Sequence, residues 1–408
     1  MNTKAYNEEW IFNREVQRMA RRWHKRGFVS AEQNGAIALM FPSGFHERHF
    51  FVRITLFIFT GIGAGIAGSL IFGTILTAVF SGHSSQETGF LVCCLLCGGG
   101  TIFLLEQLIH ANHFYHSGPD NALLYIALSY FLTALGFFYA AVLPTQLLDP
   151  ELLLARGLLG WLLLPAWVLL LAAVGRYADA FVTLAAHLLY LVIVAVFTLQ
   201  LSWGKALLPF VLMLACAGSY QAGQWCALRP DSLYYRTCLR VTKVVSLAGF
   251  YLAGNYLVVR EANALLNDLP ASIQISFAPL FYLFTGAIPL TYIVLGLRRA
   301  DRIFLHTGLL TLAFSLYTYR FYRSVLPPEW ALTLGGALLI VLAGAALRYL
   351  RPARHGLTAE PADSPQLSVL DLESVVLSQV AEAGMKVPEP GFRFGGGSTG
   401  GGGAEGAY

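Results

Sequence analysis

Residues 54–80 read ITLFIFTGIGAGIAGSLIFGTILTAVF and carry no charged side chain. Coiled as an α-helix at about 1.5 Å per residue, a run of this length exceeds the roughly 30 Å hydrocarbon core of a bilayer. Nothing in that core can satisfy a free backbone N–H or C=O, so a segment crossing alone must coil and bond to itself. Further apolar runs of similar length follow, at 89–109, 122–143, 154–174, 180–201, 206–223, 241–258, 275–297, 303–321 and 330–350. The expected fold is therefore all-α, a polytopic transmembrane helix bundle of about ten spans over residues 54–350.

Composition points the same way. Hydrophobic residues make up 56% of the 408 and charged residues 12%, against roughly a quarter charged in an ordinary soluble domain. A soluble fold has no place to hide so much apolar surface. The net charge of +4 implies no nucleic-acid partner, because the basic residues sit beside apolar runs, where orientation in the membrane explains them. The lipid bilayer is the expected partner.

Before the first span, residues 1–53 predict a cytoplasmic amphipathic helical hairpin. Phe12, Val16, Met19 and Trp23 recur at helical spacing from Glu8 to Arg26, and Gly27 ends that helix. Ser30-Ala-Glu-Gln33 has the spacing of a capping box, so a second helix is expected from Ala31 to about Phe41, stopped by Pro42. Arg18, Arg21, Arg22, Lys25 and Arg26 suit either a solvated face or anionic lipid headgroups. No cleavable signal peptide is expected, since the opening is polar rather than a short apolar run. After the last span, residues 351–386 predict a linker with one short amphipathic helix. Residues 387–408 are a Gly-rich tail expected to be disordered. With the amino terminus inside, inner loops hold eight basic residues and outer loops five, which places both termini in the cytoplasm and the protein in the cytoplasmic membrane.

Three features bear on function. Gly61, Gly65 and Gly68 leave little side chain on the first span and predict close helix packing, inside the chain rather than in a homodimer. Cys94 and Cys97 form a C-x-x-C within an apolar run, where small packing residues are the expected reading. Glu106 is the one acidic residue deep in a predicted span, and His110, His113 and His116 follow it. If the helix runs on, offsets of four, seven and ten place all four within about 120° of one face. They are candidates for a proton relay or for ligands of a divalent metal, weighed against an interfacial cluster with no chemistry. Pro279 and Pro289 predict an irregular eighth span. Arg176-Tyr-Ala-Asp179 and Arg298-Arg-Ala-Asp301 echo each other, each before a helix carrying a histidine, His187 and His306; a helix-capping Asp and a topology-setting Arg explain both without duplication.

The stretch Met19-Ala-Arg-Arg-Trp-His-Lys-Arg-Gly-Phe-Val-Ser-Ala-Glu-Gln33 resembles the opening of a family of uncharacterised bacterial multi-pass membrane proteins that begin with a soluble helical hairpin. Phe114-Tyr-His-Ser-Gly-Pro-Asp-Asn-Ala-Leu123 and Tyr317-Thr-Tyr-Arg-Phe-Tyr322 are similar to that group as well. The resemblance implies location and fold and carries no activity. No P-loop, no G-x-S-x-G and no paired catalytic carboxylates are present, no cofactor is implied, and an enzyme is not the expected reading. A transporter or channel-like role, proton- or metal-linked through Glu106, comes first. A membrane scaffold or sensor with a protein partner for the hairpin or tail comes second, and a membrane-embedded metalloenzyme third.

Overall fold

The computed structural model describes residues 4–45, 49–80, 86–144, 146, 149–275, 277–299 and 301–322, with scattered positions between 333 and 348. The expected linker 351–386 and tail 387–408 lie outside the described residues, and the expected span 330–350 is described only at those scattered positions. In chain order the α-helices are α1 (Glu8–Lys25), α2 (Ala31–Met40), α3 (Phe50–Phe80), α4 (Gln86–Asn112), α5 (Pro119–Val142), α6 (Pro150–Ala155), α7 (Leu159–Tyr177), α8 (Ala180–Leu199), α9 (Gly204–Ala227), α10 (Arg236–Gly254), α11 (Tyr256–Leu266), α12 (Ala278–Arg298) and α13 (Arg302–Tyr322). No strand occurs among the described residues.

Seven of these helices, α3, α4, α5, α7, α8, α9 and α12, are long and apolar enough to cross a membrane. The number rises to eight if α10 and α11, bent by 71° at their junction, count as one span. This is a membrane-embedded helical protein. The expectation of ten spans is corrected in two places, and a third expected span is mostly not described. The run 241–258 is broken, 303–321 forms α13 without reaching the apolar threshold of the others, and 330–350 falls largely outside the described residues.

The break sits at Asn255, not in the eighth predicted span. Asn255 takes an extended backbone, and its Oδ1 accepts from the Leu257 and Val258 N–H groups, so α11 starts afresh with its first donors satisfied. Its Nδ2 donates to the Tyr251 and Thr318 hydroxyls, and Tyr256 N–H is taken by Thr285 Oγ1. The N–H groups of residues 255 to 259 all have acceptors across the break, in a region where Asn255 is fully buried. By contrast α12 stays continuous through both prolines. Pro279 lies in its first turn, where an N–H has no helical acceptor. Pro289 has no N–H to offer the Thr285 carbonyl one turn earlier, and the Ser315 hydroxyl of α13 donates to that carbonyl instead, at 2.6 Å.

Helix ends meet on one face of the bundle. The end of α4 bonds the end of α7 through Glu106 and Arg176, the start of α10 reaches the α12–α13 turn through Lys243 and Asp301, and Lys4 and Tyr6 touch Asp231 and Asp120. Beneath this face lies one apolar core that includes Leu105, Leu128, Leu170 and Val182. A second joins α9, α10, α12 and α13 through Met213, Leu247, Ile288 and Phe304. Before α3, the helices α1 and α2 lie together, with Gln17 donating to the Phe41 carbonyl and Asn13 to that of Pro42. Both halves of the Ser30–Gln33 capping box are formed.

Candidate functional site

The four residues singled out around Glu106 do not form a ramp. Helix α4 stops at Asn112, and His113 and His116 adopt positive φ of 52° and 46°, so the shared helical face ends with His110. The cause is the next helix. Pro119 opens α5, Asp120 Oδ1 accepts from the Ser117 and Gly118 N–H groups, and Gly118 at φ +113° lies where a Cβ would fall 2.4 Å from the Arg53 carbonyl. The chain must turn there. His113 then packs edge-on against Trp10, and His116 places Nδ1 3.2 Å from Asn121 Oδ1 and 3.8 Å from Asp179 Oδ2. No group of three or more His, Cys, Asp or Glu side chains is arranged to hold a metal ion among the described residues.

Glu106 is not an isolated carboxyl either. Arg176 Nε donates to its Oε1 at 2.7 Å and the Tyr177 hydroxyl to the same atom at 2.6 Å, while His110 Nε2 lies 3.7 Å from Oε2. A carboxylate held this way ties α4 to α7 and compensates its own desolvation.

A second polar centre lies alongside, with two deeply buried carboxylates. Asp179 caps α8 through the Phe181 and Val182 N–H groups and accepts the Tyr125 hydroxyl at 3.0 Å. Asp120 accepts the Tyr6 hydroxyl at 3.0 Å. Burial, reinforced by the Asp120 charge, pushes the Tyr6 phenol well above its ordinary value, so it remains a donor. The backbone continues the seam, with Ala5 N–H and the Tyr234 hydroxyl both donating to the Arg176 carbonyl. Residues 4–6 thereby clip the amino terminus across three interhelical turns. Glu15 adds a further tie to Arg236; burial opposes its charge, but Arg236, Arg18 and Arg22 outweigh that and hold its carboxyl below the usual carboxylate range. These groups bond one another across helix ends, so the cluster reads as a fastening.

The open chemistry lies elsewhere. A cavity of about 660 Å³ lies between α7, α8, α9 and α10. On α8 the residues Thr183, His187 and Tyr190 line it at offsets of four and three, one helical stripe. Trp167 of α7 stacks on Tyr190 with ring centroids 5.9 Å apart, and Ser219 of α9 and Cys238 of α10 add small polar atoms. At the helix ends the lining becomes charged, with Arg229 and Asp231. His187 is only 7% exposed, and its Nε2 has no hydrogen-bond partner among the described residues. Leaving such a nitrogen unpaired costs about 1–3 kcal/mol. Sequence reading noted His187 only as half of an echo, although an imidazole inside a span is itself a signal of function. Its counterpart His306 is exposed, so the two halves of the echo differ.

Among the packing glycines, only Gly68 makes a close approach, where an added Cβ would sit 2.3 Å from the Tyr130 hydroxyl of α5. At Gly61 and Gly65 a Cβ meets nothing within 4 Å among the described residues, so the internal contact expected there is not found. Cys94 and Cys97 are buried free thiols.

No known protein family, curated protein or solved structure matches the chain.

Proposed function

We propose that this is a membrane transport protein whose cleft between α7, α8, α9 and α10 receives a small, largely apolar solute carrying one hydrogen-bonding group. The observation that carries this reading is a cavity of about 660 Å³ whose lining residues include His187, a buried histidine with an Nε2 that has no partner among the described residues. That volume is within the range of roughly 300–1,000 Å³ typical of small-molecule sites, and a mostly apolar wall with a few polar groups is their usual chemistry. The helix-end mouth at Arg229 and Asp231 lies on the same face as the amino terminus, so with that terminus inside the solute is taken from the cytoplasm. Glu106 is not among the residues lining this cavity, and in this reading it fastens helices while His187 meets the solute.

The test uses 1-aminoanthracene, a fluorescent aromatic amine of suitable size, with the purified protein in detergent. Saturable fluorescence enhancement is expected. It should weaken about tenfold in His187→Phe and disappear in Gly218→Phe, which fills the cavity from a position where an added Cβ meets open space. Binding that is unsaturable, or equal in both variants, sinks the assignment. Solute flux in proteoliposomes, lost in the same variants, separates transport from binding alone.

A further inference from the structure

Helix α10 carries two stripes one residue out of step. Tyr235, Cys238 and Thr242 line the cleft, whereas Arg236, Arg240 and Lys243, at offsets of four and three, line an adjoining basin of about 350 Å³ with Gln224, and Ser232 and Leu239 border both. The charges around this basin do not cancel. Arg236, Arg18 and Arg22 all lean on the single carboxylate of Glu15, Arg18 at 3.7 Å and Arg22 at 3.9 Å. Lys243 is paired with Asp301. Arg240 has no ion pair or hydrogen bond among the described residues; Arg236 repels it and Glu15, already paired with Arg236, attracts it. The first turn of α10 adds the positive end of the helix dipole, with no side chain capping it. Of the three cations that line the basin, Arg236 and Lys243 are paired and Arg240 is left without a counter-charge in contact among the described residues.

Its location selects the occupant. Arg236 begins a broken span, and Val244, one turn beyond Arg240, is 43% exposed. Trp225, at the neighbouring end of α9, is 65% exposed, as an interfacial anchor is. The basin thus sits where phosphate headgroups lie, with apolar helix surface below it for acyl chains. Basic pockets between spans at the cytoplasmic surface suit anionic headgroups. We propose that Arg240, with Arg236 and Lys243, binds the phosphate of an anionic phospholipid.

The test is native mass spectrometry of the full chain from nanodiscs of phosphatidylcholine containing one fifth phosphatidylglycerol. Wild type should retain phosphatidylglycerol in preference to phosphatidylcholine. Arg240→Gln should lose that preference by about tenfold, Arg240→Lys should keep it, and Arg299→Gln, a charge removed at the α12 end, should behave as wild type. Thermal unfolding of Arg240→Gln in pure phosphatidylcholine, expected to match wild type, shows that the variant is folded. Equal retention of the two lipids, equal loss in Arg299→Gln, or displacement of the lipid by millimolar inorganic phosphate each overturns the proposal. Because Arg236, Arg240 and Lys243 do not line the cleft, failure here leaves aminoanthracene binding unaffected.

Discussion

Removing the charge of Glu106 should loosen the junction of α4 and α7 rather than stop a proton path. In Glu106→Gln the Arg176 guanidinium loses its carboxylate at 2.7 Å and the Tyr177 hydroxyl loses a charged acceptor at 2.6 Å. Breaking a fully buried pair by removing one partner costs about 3–5 kcal/mol, whereas exposed pairs contribute about 0–1 kcal/mol. The side chains here are 19% exposed for Glu106 and 38% for Arg176, so the stranded guanidinium can reach water and the expected cost falls to about 2 kcal/mol. Tyr177→Phe, which removes one hydrogen bond to a charged group, should cost about 1.5 kcal/mol. Equilibrium unfolding in mixed micelles measures both. A double-mutant cycle of Glu106→Gln with Arg176→Gln should return a coupling of about 1–2 kcal/mol, because the two side chains share one contact. If Glu106→Gln unfolds like wild type while solute flux loses its dependence on a proton gradient, the fastening account is wrong and the relay expected from sequence is restored.

Three further outcomes are expected. Gly118→Ala should cost several kcal/mol or prevent folding, since a Cβ at φ +113° would lie 2.4 Å from the Arg53 carbonyl; yield and size-exclusion profile report it. Gly61→Ala and Gly65→Ala should leave unfolding midpoints unchanged or slightly raised, because open space surrounds both positions and alanine favours helix by up to about 1 kcal/mol. The Glu15 carboxyl is held below its ordinary value, so the docking it contributes is complete above the unfolded carboxylate range of about 4.3 and is lost as pH falls through the lower folded value. Spin labels on α1 and α9 should therefore keep one separation from pH 7 to about 5 and spread only at more acidic pH, and spreading that begins near neutrality contradicts this account.

What could be read in advance was local. An uncharged run crosses a bilayer whatever surrounds it, and Ser30 and Gln33 satisfy each other's N–H groups within one turn, so α3 and the start of α2 were legible. Asp179 and Asp301 cap their helices as their position before apolar runs implied. What could not be read depended on partners far along the chain. Glu106 meets Arg176 70 residues later, and Asn255 is stabilised by Thr318 63 residues later, so neither the fastening nor the broken span shows in any window of sequence. The histidine face failed for a nearer reason: the turn demanded by Gly118 and Asp120 ends the helix before His113. His187 was visible as a residue, but only the folded bundle reveals that its Nε2 has no partner among the described residues.

The Ser315 hydroxyl that serves the Thr285 carbonyl also limits how this protein can move. Sliding α12 along α13 would strand that oxygen in a medium holding no water to replace the lost partner. The two helices are therefore bolted into a single plank. The 71° bend at Asn255 is pinned to the same plank, since the side chain that caps the Leu257 and Val258 N–H groups also donates to Thr318 of α13.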